Sequence, residues 1–283
     1  MSLNTQIKKL TLTIVVNLFL LLIAFIFMLP VFWMISTAFK VPEQIAVFPP
    51  QWIPDPITLR AFREGFDFMP FGQFFWNSTL IAVLGTTGTL ISCSLAAFGF
   101  AKMKAKLKSL WFTLMISTLM IPGTVTLIPT FFIFSRLGWI DTYLPLILPA
   151  WFGASAFSIF LLRQFFASIP NELSEAALID GSGWFRIYGS LYLPNSKPAM
   201  LVVMIFAVVH HWNDFFAPMI YLTSTSNYTL AIGLNAFRHM HGGAMDTGPM
   251  MAMALISVLP ILIIYLFTQK FLIQGVVTSG LKG

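Results

Sequence analysis

Residues 12–37 read LTIVVNLFLLLIAFIFMLPVFWMIST, a run without a single Asp, Glu, Lys or Arg. A helix needs about 20 mainly apolar residues to cross the hydrocarbon core of a bilayer, and this run exceeds that. Lys8 and Lys9 precede the apolar stretch from Leu10 to Phe39, an arrangement that a secretory signal shares. A signal peptide, however, has an apolar core of roughly 7–15 residues followed by a small-x-small cleavage site. Here the run is far longer and no such site follows, so it is read as an uncleaved first span. Outward from it, residues 74–100, 110–131, 143–162, 199–222 and 250–268 have the same character. The predicted fold is an all-α integral membrane protein with six transmembrane helices, organised as a single transmembrane domain over 1–283.

Composition agrees. Hydrophobic residues make up 58% of the 283-residue chain and charged residues only 9%, against about a quarter charged in a soluble domain. The net charge of +6 does not point to nucleic acid, because the positive charges lie between long apolar runs and form no patch with a folded core of its own. Cys93, the single cysteine, sits in an apolar run and can form neither an internal disulfide nor a metal cluster.

Loop charge sets the predicted orientation. Lys8, Lys9, Lys102, Lys104, Lys106, Lys108, Arg163, Arg186, Lys197, Lys270 and Lys282 fall on one side, and Lys40, Arg60, Arg63, Arg136 and Arg238 on the other. The positive-inside rule then places both termini of this multi-pass protein in the cytoplasm. The Lys102–Lys108 cluster fits this topological role; a lipid head-group site is the alternative. The outer loop 40–72 carries Pro42, Pro49, Pro50, Pro54, Pro56 and Pro70 with Trp52. Proline breaks helices and stiffens loops, so an extended excursion against the membrane face or a partner is expected.

Motifs for catalysis are missing. The sequence has no Gly-x-x-x-x-Gly-Lys-Ser/Thr phosphate loop, no His-Glu-x-x-His and no Gly-x-Ser-x-Gly elbow. Gly85, Gly88 and Ser92 lie inside the second span, where small residues let helices approach closely. An intramembrane enzyme is therefore disfavoured, no cofactor site is indicated in this chain, and any energy source must come from outside it.

The loop 164–197, between spans four and five, has its own pattern. Pro170-Asn171 opens a helix with Asn171 as the expected N-cap, and Glu172 and Glu175 favour its N-terminal end. Leu173, Ala176 and Ala177 recur at helical spacing. Asp180-Gly181-Ser182-Gly183 breaks the helix, with Gly181 suited to a left-handed conformation. A second short helix, Trp184–Leu191, is expected to stop at Leu193-Pro194. Two short helices exposing Ala, Leu, Trp and Phe call for a covering partner or a membrane surface.

Residues 175–194 read EAALIDGSGWFRIYGSLYLP. This resembles the signature of inner-membrane permeases of binding-protein-dependent ABC importers: Glu-Ala-Ala, three residues, Gly, nine residues, Ile, one residue, Leu-Pro. Glu175, Ala176, Ala177, Gly181, Leu193 and Pro194 match, Asp180 lies within the pattern, and Leu191 replaces the isoleucine. The resemblance implies that this loop is a coupling helix docking in a cleft of an ATPase subunit. Phe48-Pro49-Pro50-Gln51-Trp52-Ile53-Pro54, Ile121-Pro122, Leu127-Ile128-Pro129, Leu137-Gly138, Leu148-Pro149, Trp212-Asn213-Asp214-Phe215 with Pro218, and the tail from Gly275 to Leu281-Lys282-Gly283 look like carbohydrate importer permeases, most of all the second permease of the maltose type. The implied partners are a second homologous permease, two ATPase subunits that hold ATP and magnesium, and an extracytoplasmic sugar-binding protein. A polyamine or a polyol phosphate is the alternative cargo. A secondary transporter would need coupling-ion sites and often shows inverted repeats, and neither is evident.

In the fifth span His210 and Asp214 are four apart and so are expected to share a helix face, with Asn213 adjacent. An ionisable residue deep in a span costs about 2.5–3.5 kcal/mol on insertion scales and usually faces a bundle interior or a water-filled path. These groups either line a path for a hydroxyl-rich solute or knit helices together.

Overall fold

A computed structural model of the chain describes residues 3–240 and 247–280; Leu281, Lys282 and Gly283 of the tail lie outside the described residues. The order of helices is α1 Leu3–Ala38, α2 Pro42–Ile45, α3 Arg60–Phe68, α4 Phe71–Lys102, α5 Lys108–Ser117, α6 Gly123–Arg136, α7 Leu144–Ile147 and α8 Ala156–Ser168. There follow α9 Asn171–Ile179, α10 Trp184–Ile187, α11 Leu193–Asn195, α12 Lys197–Asn213, α13 Phe216–Tyr221, α14 Leu230–Met240 and α15 Gly248–Gly280. Four segments among the described residues, Leu10–Ala38, Phe71–Lys102, Leu144–Ser168 and Gly248–Gln269, are long and apolar enough to cross a bilayer. Two bent pairs raise the number to six if each is one span: Lys108–Met120 with Gly123–Arg136, bent by 102°, and Trp184–Asn195 with Lys197–Asn213, bent by 82°.

The first bend falls inside the predicted third span, and its cause is local. Pro122 has no N–H to give the preceding turn, and its ring pushes Ile121 out of the helical region to ψ 115°. The chain restarts as α6 one residue later.

Two compact units form, one from residues up to Pro70 with Ala236–Val258, the other from Phe71–Asn235 with the residues from Leu259 on. In the first, α1 is apolar on every face and exposes Phe19, Leu21 and Phe27, as expected of a helix whose solvent is lipid. The proline-rich segment folds back on the end of this helix. Trp52 meets Trp33 edge-on at 5.2 Å, the Ser36 hydroxyl donates to the Trp52 carbonyl at 2.5 Å, and Thr58 N–H donates to the Phe39 carbonyl at 3.0 Å. Lys40 is buried there with its ammonium 4.0 Å from the Trp33 ring centre, and burial lowers its pKa. Gly65 of α3 leaves room for the Met253 side chain, which would lie 2.7 Å from a Cβ at that position.

The second unit is built around α4. Here the small residues do what their spacing predicts: Gly85 admits the His211 ring and Gly88 the Trp151 indole, each closer than 3.0 Å to where a Cβ would stand. The Ser92 hydroxyl donates to the Ala150 carbonyl at 2.7 Å. Buried Cys93, Ala97 and Phe98 of α4 pack with Leu162 and Phe166 of α8 and Val203 of α12.

Candidate functional site

The loop 164–197 is shaped by what each residue does to its own backbone. α8 ends at Ser168; Pro170 holds Ile169 extended at ψ 129° and is itself the N-cap of α9. Asn171 is thus the first helical residue and not the cap expected from sequence, because proline already sets the entry angle and leaves no turn for the amide to close. Its side chain is used elsewhere: the Lys102 ammonium donates to Asn171 Oδ1 at 2.7 Å and to the Ile169 carbonyl at 2.6 Å.

The other end of α9 closes as a Schellman motif. Ser182 N–H donates to the Ala177 carbonyl at 2.9 Å and Gly181 N–H to the Leu178 carbonyl at 3.0 Å, with Gly181 at φ +81°. Trp184 then starts a second helix that runs further than predicted. A π-helical turn, Tyr188–Tyr192, joins α10 to α11, and the helix passes through Leu193 and Pro194 to end at Asn195. Proline is tolerated because the wide turn relaxes the ladder at the carbonyls its ring would meet.

The motif residues divide into two sets. Ala177 and Leu191 pack, half-buried, against the core around buried Tyr192, whose hydroxyl meets Ser174 Oγ at 3.0 Å. Glu175, Ala176, Asp180 and Pro194 are exposed, Leu193 half so. Around them Leu173, Leu178, Ile179 and Phe185 present apolar surface, Ile179 at 87% and Phe185 at 83% exposure. Lys102, Tyr188 and Tyr192 hold this loop, yet sequence alone gives no sign of it beyond the aromatic spacing.

The fifth span departs from expectation. α12 ends at Asn213, and Asp214 leaves the helix at ψ 124°. His210 and Asp214 are therefore not on one helix face. The Asp214 carboxylate accepts from the Ala217 N–H at 3.3 Å, in the first turn of α13. His210 and Asn213 are exposed within this chain, and the His210 ring lies 5.2 Å from that of His211. His211, which the spacing argument passed over, is the one packed on Gly85; a glycine three residues from a second glycine on the facing span was its signal.

Residues 88–277 match the family of binding-protein-dependent transport system inner membrane components. The chain belongs to that family. It is a transmembrane permease subunit of a binding-protein-dependent ABC importer, a multi-pass inner-membrane protein that does no chemistry and works with ATPase and binding-protein subunits. Among its relatives is the arabinooligosaccharides transport system permease protein AraQ of Bacillus subtilis (strain 168), 29% identical over 95% of this chain and 96% of that one. Another is the sn-glycerol-3-phosphate transport system permease protein UgpE of Pectobacterium atrosepticum, 32% identical over 74% of each. A crystal structure of a bacterial ABC transporter involved in the import of the acidic polysaccharide alginate contains a chain of the same fold, with a TM-score of 0.79 at 21% identity over 95% of this chain and 98% of that one.

Proposed function

We propose that this permease carries a sugar or oligosaccharide inward, as the second, maltose-type permease of a pair, through six spans, with the bent pair Lys108–Met120 and Gly123–Arg136 forming the third and the helix that starts at Lys197 opening the fifth. Both termini face the cytoplasm, and the loop 164–197 is the coupling element that enters a cleft on one of two ATPase subunits. The observation that carries this reading is the uncovered apolar surface of Leu173, Leu178, Ile179 and Phe185 around exposed Ala176, displayed on two short helices whose mutual angle is fixed by a Schellman turn. A surface of that kind is completed by a protein partner.

Sugar is favoured over a polyol phosphate by charge. From Pro198 to Phe237 the chain holds no Lys or Arg, while His210, Asn213 and Asp214 supply imidazole, amide and carboxylate. A phosphate needs cationic donors; a neutral, hydroxyl-rich solute suits amide, imidazole and carboxylate. Calorimetry of the cognate binding protein against neutral oligosaccharides and sn-glycerol 3-phosphate tests the cargo, and binding of the phosphate alone overturns the assignment. Ala176→Asp tests the docking. It places a charge on the exposed face without entering the core, so the ATPase should no longer co-purify; full co-purification and full uptake would remove the loop from the coupling role.

A further inference from the structure

Ser94, Phe98 and Lys102 recur every four residues, so they lie on one face of the last turns of α4. Each is tied to the loop. Ser94 is fully buried and its hydroxyl meets the Tyr188 hydroxyl at 2.6 Å. The Phe98 ring is 5.0 Å from Tyr192, 5.4 Å from Tyr188 and 6.1 Å from Trp184. Lys102 reaches past Tyr192, 5.5 Å from that ring centre, to the Ile169 carbonyl and Asn171 Oδ1. The hydrogen bond of Tyr192 with Ser174 links α10–α11 back to α9.

The chemistry of each tie suits its depth. A helix end leaves carbonyls without partners, and the Ile169 carbonyl, in the break between α8 and α9, takes a charge-assisted bond from the lysine. Further in, edge-on aromatic pairs fill the volume, and an interior packed to that density transmits displacement without absorbing it. Lys108, by contrast, only closes its own turn on the Met103 carbonyl at 2.9 Å. About 20 Å further along α4, at 1.5 Å per residue, Gly88 and Gly85 hold Trp151 and His211 in van der Waals contact.

We propose that Ser94, Phe98 and Lys102 form a latch that makes α4 and the α9–α11 loop one rigid body, so that displacement of α9 is delivered directly to the second span. This rests on the reading of the loop as the coupling element. Lys102 is a positioning residue: it holds the start of α9 and touches neither nucleotide nor cargo.

The test uses the full complex in lipid nanodiscs, with spin labels at exposed Glu172 and Val83 in a Cys93→Ala background. Electron–electron distances are compared without nucleotide and after trapping with magnesium, ATP and vanadate. The unmodified latch should give one unchanged distance distribution in both states. Lys102→Met with Tyr188→Phe should shift or broaden it on trapping, and Lys102→Arg should restore the original behaviour. Where the double variant assembles poorly, Lys102→Met alone is read the same way. A change of distance on trapping with the latch intact overturns the proposal, as does a double variant that behaves as the parent. The two readings fail separately: if Ala176→Asp releases the ATPase while the latch variants behave as the parent, only the latch falls; if Ala176→Asp leaves coupling intact, the loop assignment falls first.

Discussion

At Gly181 the constraint is the backbone alone. The residue stands at φ +81° and a Cβ there would find no heavy atom within 4 Å. A side chain therefore meets no steric wall across the turn, and the cost of substitution is the left-handed conformation itself, about 1–2 kcal/mol for most residues. Asparagine tolerates that region and valine does not. Gly181→Asn should keep transport and ATPase co-purification near the parent level, whereas Gly181→Val should lose most of both; equal behaviour of the two variants would show that φ is not the constraint. The sign of φ at this residue was legible in the sequence, since Asp-Gly after a helical run is a local signal. The destination of the Asn171 side chain was not, because it depends on a lysine 69 residues away.

Among the elements, the turn before α7 is fastened to the segment after α13 by one carboxylate. Asp141, at φ 63°, accepts from Thr223 N–H at 3.0 Å, from Ser224 N–H at 2.8 Å and from the Ser224 hydroxyl, while Asn227 Nδ2 donates to its carbonyl at 2.8 Å. The Ser224 hydroxyl and amide are the main reason its carboxyl lies well below the usual carboxylate range. A depressed folded-state pKa contributes stability that is complete above the ordinary value, about 3.9, and is lost as pH falls through the lower folded one. Asp141→Asn should accordingly lower the melting temperature at pH 7, by a modest amount given the solvent exposure of the group. The gap to the parent should narrow below about pH 4, as protonation brings the parent toward the variant; a pH-independent gap would show that the charge contributes nothing. Helix ends were the weak part of the sequence reading. Hydropathy ran on through Asp214 and Ile121-Pro122, because apolar composition reports what a segment is dissolved in and not whether its backbone bends.

For the molecule as a whole, orientation is the property most open to direct measurement. Phe48 in the proline-rich segment and Phe185 in the loop are 91% and 83% exposed. With Cys93 replaced by alanine and the vesicles stripped of the ATPase subunits that would cover Phe185, Phe185→Cys should react with a membrane-impermeant maleimide only in inside-out vesicles, and Phe48→Cys only in right-side-out ones; the reverse pattern would invert the topology. Membrane class, the approximate spans, the loop motif and the left-handed glycine all follow from the sequence, because each is a property of neighbouring residues: apolar run length, local charge, or the φ that one residue permits. Only the tertiary structure decided that α12 stops at Asn213, that His211 lies against Gly85, and that Lys102 and Ser94 reach residues 67 and 94 positions away. A buried polar group in a span is costly without a partner, but which partner it finds is set by helices brought together in three dimensions, and a one-dimensional pattern carries no record of that pairing.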